Sequence, residues 1–303
     1  MRIVKVGTRG SQLALAQTKG IIKVLTPYHQ TVDFQIKIIE TKGDLIQDVA
    51  LEKIGDKGLF VKEIEEQLLN KSIDFAVHSL KDMPSLNPAG LIFSKTPKRE
   101  DCRDVLILKP PYDHIDTLPV GAIIGTGSKR RKYQLLALRP DLRIVSIRGN
   151  IDTRIKKIET EGLHGVVLAA AGLKRIGYED KITQYLPHET FIPAPGQGAL
   201  GLQFREDDTF IGQMLNQLHH KPDHIETQAE RAFMAGIGGT CHEPIGAKAY
   251  LNGDEIKITG LYGNEKGEYV TETKAGPITD AKKIGFDLGV RLRKVVQASD
   301  ENR

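Results

Sequence analysis

RIVKVGTRGSQLALAQTKGIIKVL (residues 2–25) carries two different periods in one short stretch. RIVKVG (2–7) has the β-branched, partly alternating character of a strand. SQLALAQTKGIIKVL (11–25) has apolar residues at helical spacing behind Ser11, a favoured N-cap. Strand, glycine-bearing turn and helix form the repeating unit of an α/β fold, and the unit recurs. VDFQIKII (32–39) and DFAVHS (74–79) read as strands, and KGLFVKEIEEQLLN (57–70) as an amphipathic helix. After KTPKREDCRD (95–104) the series restarts with candidate strands DVLIL, GAIIG, RIVSI and GVVLAAA, separated by helices beginning at Ser128 and Ile151. This alternation predicts parallel sheets flanked by helices.

From about Asp223 the pattern changes. The helix DHIETQAERAFMAG (223–236) precedes AKAYL, EIKITGLYG and EYVTETKA, which read as antiparallel strands joined by N-G-D and N-E-K-G turns. The amphipathic stretch ITDAKKIGFDLGVRLRKVV (278–296) follows. The expectation is an α/β chain of two α/β domains and a smaller α+β domain, with Cys241 on the loop that opens the last one.

With 303 residues, 40% of them hydrophobic, the chain can bury two or three cores. No apolar run approaches the roughly 18 residues of a membrane helix, and MRIVKVGTRGSQ lacks the apolar stretch of a secretory signal. A cytoplasmic protein without a membrane partner is expected, with Cys102 and Cys241 as free thiols. The net charge is only +4, but residues 129–157 hold ten Lys/Arg against two Asp. A solvated helix face is the ordinary reading of such a run.

Five segments, however, share one design: GTRGSQ (7–12), GTGSKRRK (125–132), SIRGNIDTR (146–154), AAAGLKR (169–175) and PGQGALG (195–201). In each, a strand ends at glycine or a small polar residue, a helix can begin, and a cation lies close by, although Arg205 is further from the last. Helix N-termini attract anions, and arginine adds bidentate contacts to carboxylate or phosphate. Together they suggest a polyanionic ligand. None matches a nucleotide phosphate loop or a dinucleotide fingerprint. Aromatics make up 6% of the chain, there is no Trp, and only Tyr133 lies in the basic segment, so nucleic-acid stacking is poorly supplied.

GGTCHEPIG (238–246) places a cysteine among glycines. On spacing alone, Cys241 reads first as a small structural residue, second as a metal ligand, third as a nucleophile or attachment point. No set of three or four zinc ligands is recognisable, and His219, His220 and His224 read as polar surface. Asp82, in VHSLKDMP (77–84), follows a strand and is either a turn aspartate or a site acid, with Lys81 beside it. Phe60 in GDKGLF is either core or a ligand-packing aromatic.

The ordered set GTRGSQLALAQ, GDKGLFVKEIE, DFAVHSLKDMP, GTGSKRRKYQL with RPDL, IRGNIDTR, AAAGLKR, PAPGQGALG, AERAF and GGTCHEPIGA resembles the porphobilinogen deaminase (hydroxymethylbilane synthase) family, across nearly the whole chain. The resemblance implies a transferase of tetrapyrrole (haem, porphyrin) biosynthesis. It would condense four porphobilinogen molecules, with loss of ammonia, onto a covalent dipyrromethane primer and release hydroxymethylbilane by hydrolysis. It implies that Cys241 carries the cofactor through a thioether and that Asp82 is the catalytic carboxylate. Lys81, Asp82, Ser128, Arg130, Arg131, Arg148 and Arg154 then bind the cofactor. Arg9, Ser11, Lys57, Phe60, Arg148, Arg154 and Arg175 contact substrate, and no metal is involved. Thr240 departs from the commoner family loop, in which two glycines directly precede the cysteine.

By the same resemblance, the first two domains are periplasmic-binding-protein-like lobes crossed twice by the chain. Residues 1–96 with 194–217 form the first lobe, 97–193 the second and 218–303 the third domain, in a monomer. The competing expectations are a solute-binding protein for polycarboxylates, which has no use for Cys241, and a nucleic-acid-binding protein.

Overall fold

The computed structural model describes residues 1–41, 61–238 and 243–301. Lys57, Phe60 and Cys241 therefore lie outside the described residues.

The first sheet contains β1 (Arg2–Thr8), β2 (Val32–Ile38), β3 (Phe75–Ser79), β4 (Leu91–Phe93) and β10 (Leu200–Arg205), in the order β2-β1-β3-β10-β4. Val4 and Val6 point into the core while Ile3 and Lys5 face out, as the two-residue pleat requires. The helix α1 (Gln12–Leu25) begins where expected, with Ser11 Oγ accepting from Ala14 N at 3.2 Å. The helices α2 (Lys62–Leu69) and α6 (Thr209–Asn216) belong to the same lobe. Phe75, Val77, Leu202, Phe204, Ile211 and Leu215 form its core, and each large side chain so buried contributes about 1.5–3 kcal/mol.

The second sheet contains β5 (Asp104–Leu108), β6 (Ile123–Gly125), β7 (Arg143–Val145), β8 (Gly165–Ala169) and β9 (Gln184–Leu186), in the order β7-β6-β8-β5-β9. The helices α3 (Lys129–Leu138), α4 (Ile151–Thr160) and α5 (Ala170–Arg175) follow β6, β7 and β8. Both sheets are mixed, which corrects the expectation of parallel sheets. β1 is parallel to β2 and β3, and β6 to β7 and β8, but β10 runs antiparallel to β3 and β4, and β5 antiparallel to β8 and β9. PGQGALG is also corrected: it is not a strand-to-helix junction but the approach to β10.

The third unit is an antiparallel meander of β11 (Ile245–Asn252), β12 (Glu255–Gly263) and β13 (Tyr269–Pro277), packed by α7 (Lys221–Ile237) and α8 (Ala281–Glu301). The two helices approach so closely that a Cβ at Gly285 would collide with the Ala229 carbonyl, and one at Gly289 with that of Phe233.

Two strands of chain join the lobes. On the outgoing one, Thr96 N donates to His224 Nδ1 (3.1 Å) and Arg99 N to Asp223 Oδ2 (2.7 Å), both groups on α7. On the returning one, Ala247 N donates to Pro193 O (2.9 Å). His224 is thus a structural acceptor at the crossing, with its ring 5.2 Å from that of His219, and not the polar surface expected from the sequence.

Candidate active site

β3 ends at Ser79 and turns through a 3-10 element, Leu80–Asp82, which brings Lys81 and Asp82 to the edge of the first lobe. Leu80 N donates to Ala199 O (3.0 Å), pinning the turn to the return segment. Asp82 is exposed. Its charge acts on Lys81 beside it and on Arg154 of the second lobe.

On the facing lobe, Ser128 caps α3 by accepting from Arg131 N at 3.4 Å. The next two residues, Arg130 and Arg131, turn inward and are buried. Their partner is Asp104, fully buried at the start of β5. Arg130 Nη1 donates to Asp104 Oδ2 (2.6 Å) and to Ile192 O (2.7 Å), while Arg131 Nε donates to Asp104 Oδ1 (2.9 Å). The two guanidinium groups hold the Asp104 carboxyl well below the usual carboxylate range despite its burial.

Gln197 links this triad to the first lobe. Its Nε2 donates to Asp104 Oδ1 (3.1 Å) and Cys102 O (2.8 Å), while its Oε1 accepts from Lys81 Nζ (3.4 Å). The glycine after it has φ +87, and a Cβ there would strike the Glu100 carbonyl, so the chain passes Glu100 only as Gly198. Sequence reasoning missed Asp104 and Gln197. Asp104 reads as the flank of an apolar strand, and Gln197 lies in a segment that drew attention for its glycines.

Asp82 acts on Lys81 and Arg154, Asp104 acts on Lys81, Arg130 and Arg131, and Arg148 adds its charge beside Arg154, so five cations stand against two carboxylates. Burial pushes the Lys81 ammonium down to about 8, with Arg131 and Arg130 adding to it and Asp82 and Asp104 opposing. Burial likewise lowers Arg154 to about 10, helped by Arg131 and Arg148. Such shifts mark a site with more positive than negative charge inside a poorly solvated space. The arrangement fits a group bearing several carboxylates, as a dipyrromethane does.

Arg154 Nε donates to Gly149 O (2.7 Å), fixing the stem, and among the described residues the fork's other nitrogens are left for a ligand. Arg175 Nη2 donates to Gly198 O (2.6 Å), and burial lowers it to about 10. Arg9 and Ser11 lie at the β1–α1 junction, where the charge of Arg9 acts on buried His78. The structure thus gathers Lys81, Asp82, Arg130, Arg131, Arg148 and Arg154 into one cluster. Among the charges acting on Arg175 is Glu100, and none from that cluster. Burial pushes the Cys102 thiol up, so Cys102 is no ready nucleophile.

Among the described residues, no group of three or more His, Cys, Asp or Glu side chains could hold a metal ion, and no helix is long and apolar enough to cross a membrane.

Comparison with known proteins bears on what this basic cluster serves. The family model "Porphobilinogen deaminase, dipyromethane cofactor binding domain" matches residues 4–213, and "Porphobilinogen deaminase, C-terminal domain" matches residues 224–294. The porphobilinogen deaminase of Clostridioides difficile is 53% identical, over 100% of this chain and 99% of that protein. That of Clostridium novyi is 53% identical, over 98% of this chain and 100% of that protein. Among solved structures, the periplasmic VFT2 domain of Bordetella pertussis BvgS is similar with a TM-score of 0.43 and 16% identity, covering 71% of this chain and 86% of that one. Matched by family models along most of its length and by full-length relatives, the chain belongs to the porphobilinogen deaminase family.

Proposed function

We propose that this enzyme joins porphobilinogen units on a dipyrromethane held at Cys241, with Asp82 as its catalytic carboxylate and the second-lobe cations as its carboxylate cradle. The observation that carries this reading is the charge of the exposed Asp82 acting both on Lys81 beside it and on Arg154 of the facing lobe. Bound there, the dipyrromethane supplies the pyrrole carbon to which the next unit is joined.

Each pyrrole brings two carboxylates, so every addition raises the demand for cations. Lys81, Arg148 and Arg154 take the acetate and propionate groups of the cofactor, with Ser128 donating its hydroxyl. Arg130 and Arg131, pinned by Asp104, supply fixed positive potential behind them. Arg9, Ser11, Lys57, Phe60 and Arg175 receive the incoming units. Asp82 accepts the pyrrole N–H of an incoming unit and offsets the positive charge that develops there as ammonia leaves. A preorganised charge aimed at developing charge is the largest kind of catalytic contribution. The same carboxylate receives the proton released when the new carbon–carbon bond forms.

The lobes run 1–96 with 194–217, and 97–193, with 218–303 as the third domain. The enzyme works as a cytoplasmic monomer, which light scattering checks.

Intact-protein mass spectrometry tests the whole reading. The purified enzyme is expected to carry the added mass of two linked pyrroles, mapping to the peptide with Cys241. Cys241→Ser is expected to lose both that mass and activity. Asp82→Asn is expected to keep the mass but add its first porphobilinogen two to three orders of magnitude more slowly, roughly the cost of removing a transition-state partner. Active enzyme without the mass, or an unimpaired Asp82→Asn, overturns it.

A further inference from the structure

Arg231, near the middle of α7, reaches out of the third domain to the turn that follows Asp82. Its Nη2 donates to Pro84 O at 2.7 Å, and its fork makes longer contacts, both 3.5 Å, to Met83 O and Ser85 O. The guanidinium carbon stands 5.4 Å from the centre of the Phe93 ring. Burial lowers Arg231 to about 10, and among the described residues no carboxylate offsets that loss of solvation. A cation is thus kept partly out of water in exchange for three main-chain carbonyls of one turn.

Apart from the buried Met83 side chain, 2% exposed, that turn has few polar anchors among the described residues. Met83 N donates to Leu80 O (3.2 Å) within the turn itself, and Pro84 has no N–H to offer. Among the described residues, the tertiary hydrogen bonds to residues 83–85 all come from Arg231. Leu80 N on Ala199 O fixes the turn from one side of Asp82, and Arg231 fixes it from the other.

The helix that carries Arg231 also carries Glu230, which accepts from Gly196 N (2.8 Å) and Ala249 N (3.0 Å), and it ends at Gly238, in the left-handed conformation, just before residues 239–242. From Arg231 to Gly238 is about 10 Å along the helix axis. One rigid rod therefore meets the turn of the acid at one point and the start of the GGTCHEP segment at another.

We propose that Arg231 is a positioning residue for the reaction: by gripping the Met83–Ser85 carbonyls it sets the Asp82 carboxylate in register with the third domain. The assignment rests on Asp82 being the acid. It predicts that Arg231 matters only through Asp82.

A double-mutant cycle on the cofactor-loaded enzyme tests this, with the rate of the first porphobilinogen addition read by quenched-flow intact mass. Arg231→Met is expected to lower that rate between about tenfold and a hundredfold, the scale of an ångström-size misplacement, with KM changed by no more than about threefold. Arg231→Lys, which can still donate to Pro84 O, is expected to recover part of the loss. In the Asp82→Asn background, Arg231→Met is expected to cost nothing further. Amide exchange in segment 80–86 should quicken in Arg231→Met while the amides of β11–β13 keep their protection.

Losses that multiply in the double variant, or a normal rate in Arg231→Met, overturn the positioning role while leaving Asp82 as the acid. A normal rate in Asp82→Asn alone overturns both. Should Arg231→Met fail to fold, Arg231→Lys carries the same cycle, and equal losses from it in both backgrounds refute the proposal.

Discussion

Arg99 grips Glu230 with both prongs of its guanidinium, Nη1 to Oε1 at 2.8 Å and Nη2 to Oε2 at 2.9 Å, and both side chains are buried. Arg99 belongs to the outgoing crossing and Glu230 to α7, while Arg99 Nε also donates to Gln197 O (2.8 Å) on the returning crossing. Glu230 in turn accepts from Gly196 N and Ala249 N. The carboxylate thus takes two bonds from the outgoing crossing, one from the returning segment and one from β11, so the three units meet at one charge.

Removing one partner of a buried pair leaves the other uncompensated, at a cost of about 3–5 kcal/mol. Glu230→Ala should therefore lower the urea midpoint of the loaded enzyme by an amount equivalent to that range. Exposed pairs such as Lys129–Glu265 are worth only about 0–1 kcal/mol, so Glu265→Ala serves as the contrast. Equal midpoints for the two variants would show that the crossing does not depend on this pair.

Asp104 leads to a second prediction. In Asp104→Asn, Arg130 and Arg131 lose their shared anion inside the second lobe. The cofactor-free protein should be destabilised by about 3–5 kcal/mol, and loading with dipyrromethane should restore part of that, because its carboxylates supply the missing charge. Differential scanning of both forms reads this directly. The sign with pH follows from the same pair. The folded Asp104 pKa is depressed, so its contribution is complete above the ordinary carboxylate value, about 3.9, and is lost as pH falls through the lower folded value. An identical deficit with and without cofactor would separate Asp104 from ligand binding.

Lys81 allows a test by proton counting. Its pKa is held down to about 8, against an ordinary value near 10.4, chiefly by burial. At pH 9 the ligand-free group is mostly neutral, and a bound carboxylate draws it back to the charged form. Binding of a pyrrole dicarboxylate to cofactor-free protein should therefore take up protons at pH 9 and hardly any at pH 7. Calorimetry in two buffers of different ionisation enthalpy measures the uptake, and Lys81→Met should abolish it. The charged Lys81 also costs the ligand-free fold stability at neutral pH, a cost that shrinks as pH rises from about 8 toward the ordinary lysine value. No buffer dependence at pH 9 would remove Lys81 from the carboxylate site.

The α/β character of the chain was legible because its periods are local. The strand and helix in residues 2–25 and the meander of the last unit declare themselves within a dozen residues. Strand direction did not, since β10 pairs with β3 across more than a hundred residues of intervening chain, and no local periodicity encodes that. The basic half of the site was legible because arginines at strand ends are rare enough to stand out. Its acidic and amide half was not. Asp104 acquires meaning only from helix α3, and Gln197 only from three partners spread across two lobes. Arg231 was invisible for a simpler reason: its partners are carbonyl oxygens, which every residue possesses.

The β12–β13 hairpin yields the last prediction. Tyr262 Oη donates to Glu243 Oε2 at 3.2 Å, just after the segment with Cys241, while Lys129 Nζ meets Glu265 Oε2 at 2.6 Å and Tyr133 Oη donates to Glu265 O at 3.3 Å. Lys129 and Tyr133 stand on α3, the helix of Arg130 and Arg131. The hairpin therefore ties the far end of the GGTCHEP segment to the carboxylate cradle through contacts that are individually weak. Tyr262→Phe keeps the ring and removes one hydrogen bond, so it should cost only about 0.5–1.5 kcal/mol of stability. Its larger effect should fall on Cys241, whose thiol in cofactor-free protein should be alkylated by iodoacetamide several-fold faster once Glu243 is released. Cofactor assembly on Cys241, followed by intact mass, should slow in the same variant. An alkylation rate equal to that of the parent would mean that the hairpin does not restrain the cysteine, and the tie to α3 would then serve only to pack the third unit against the second lobe.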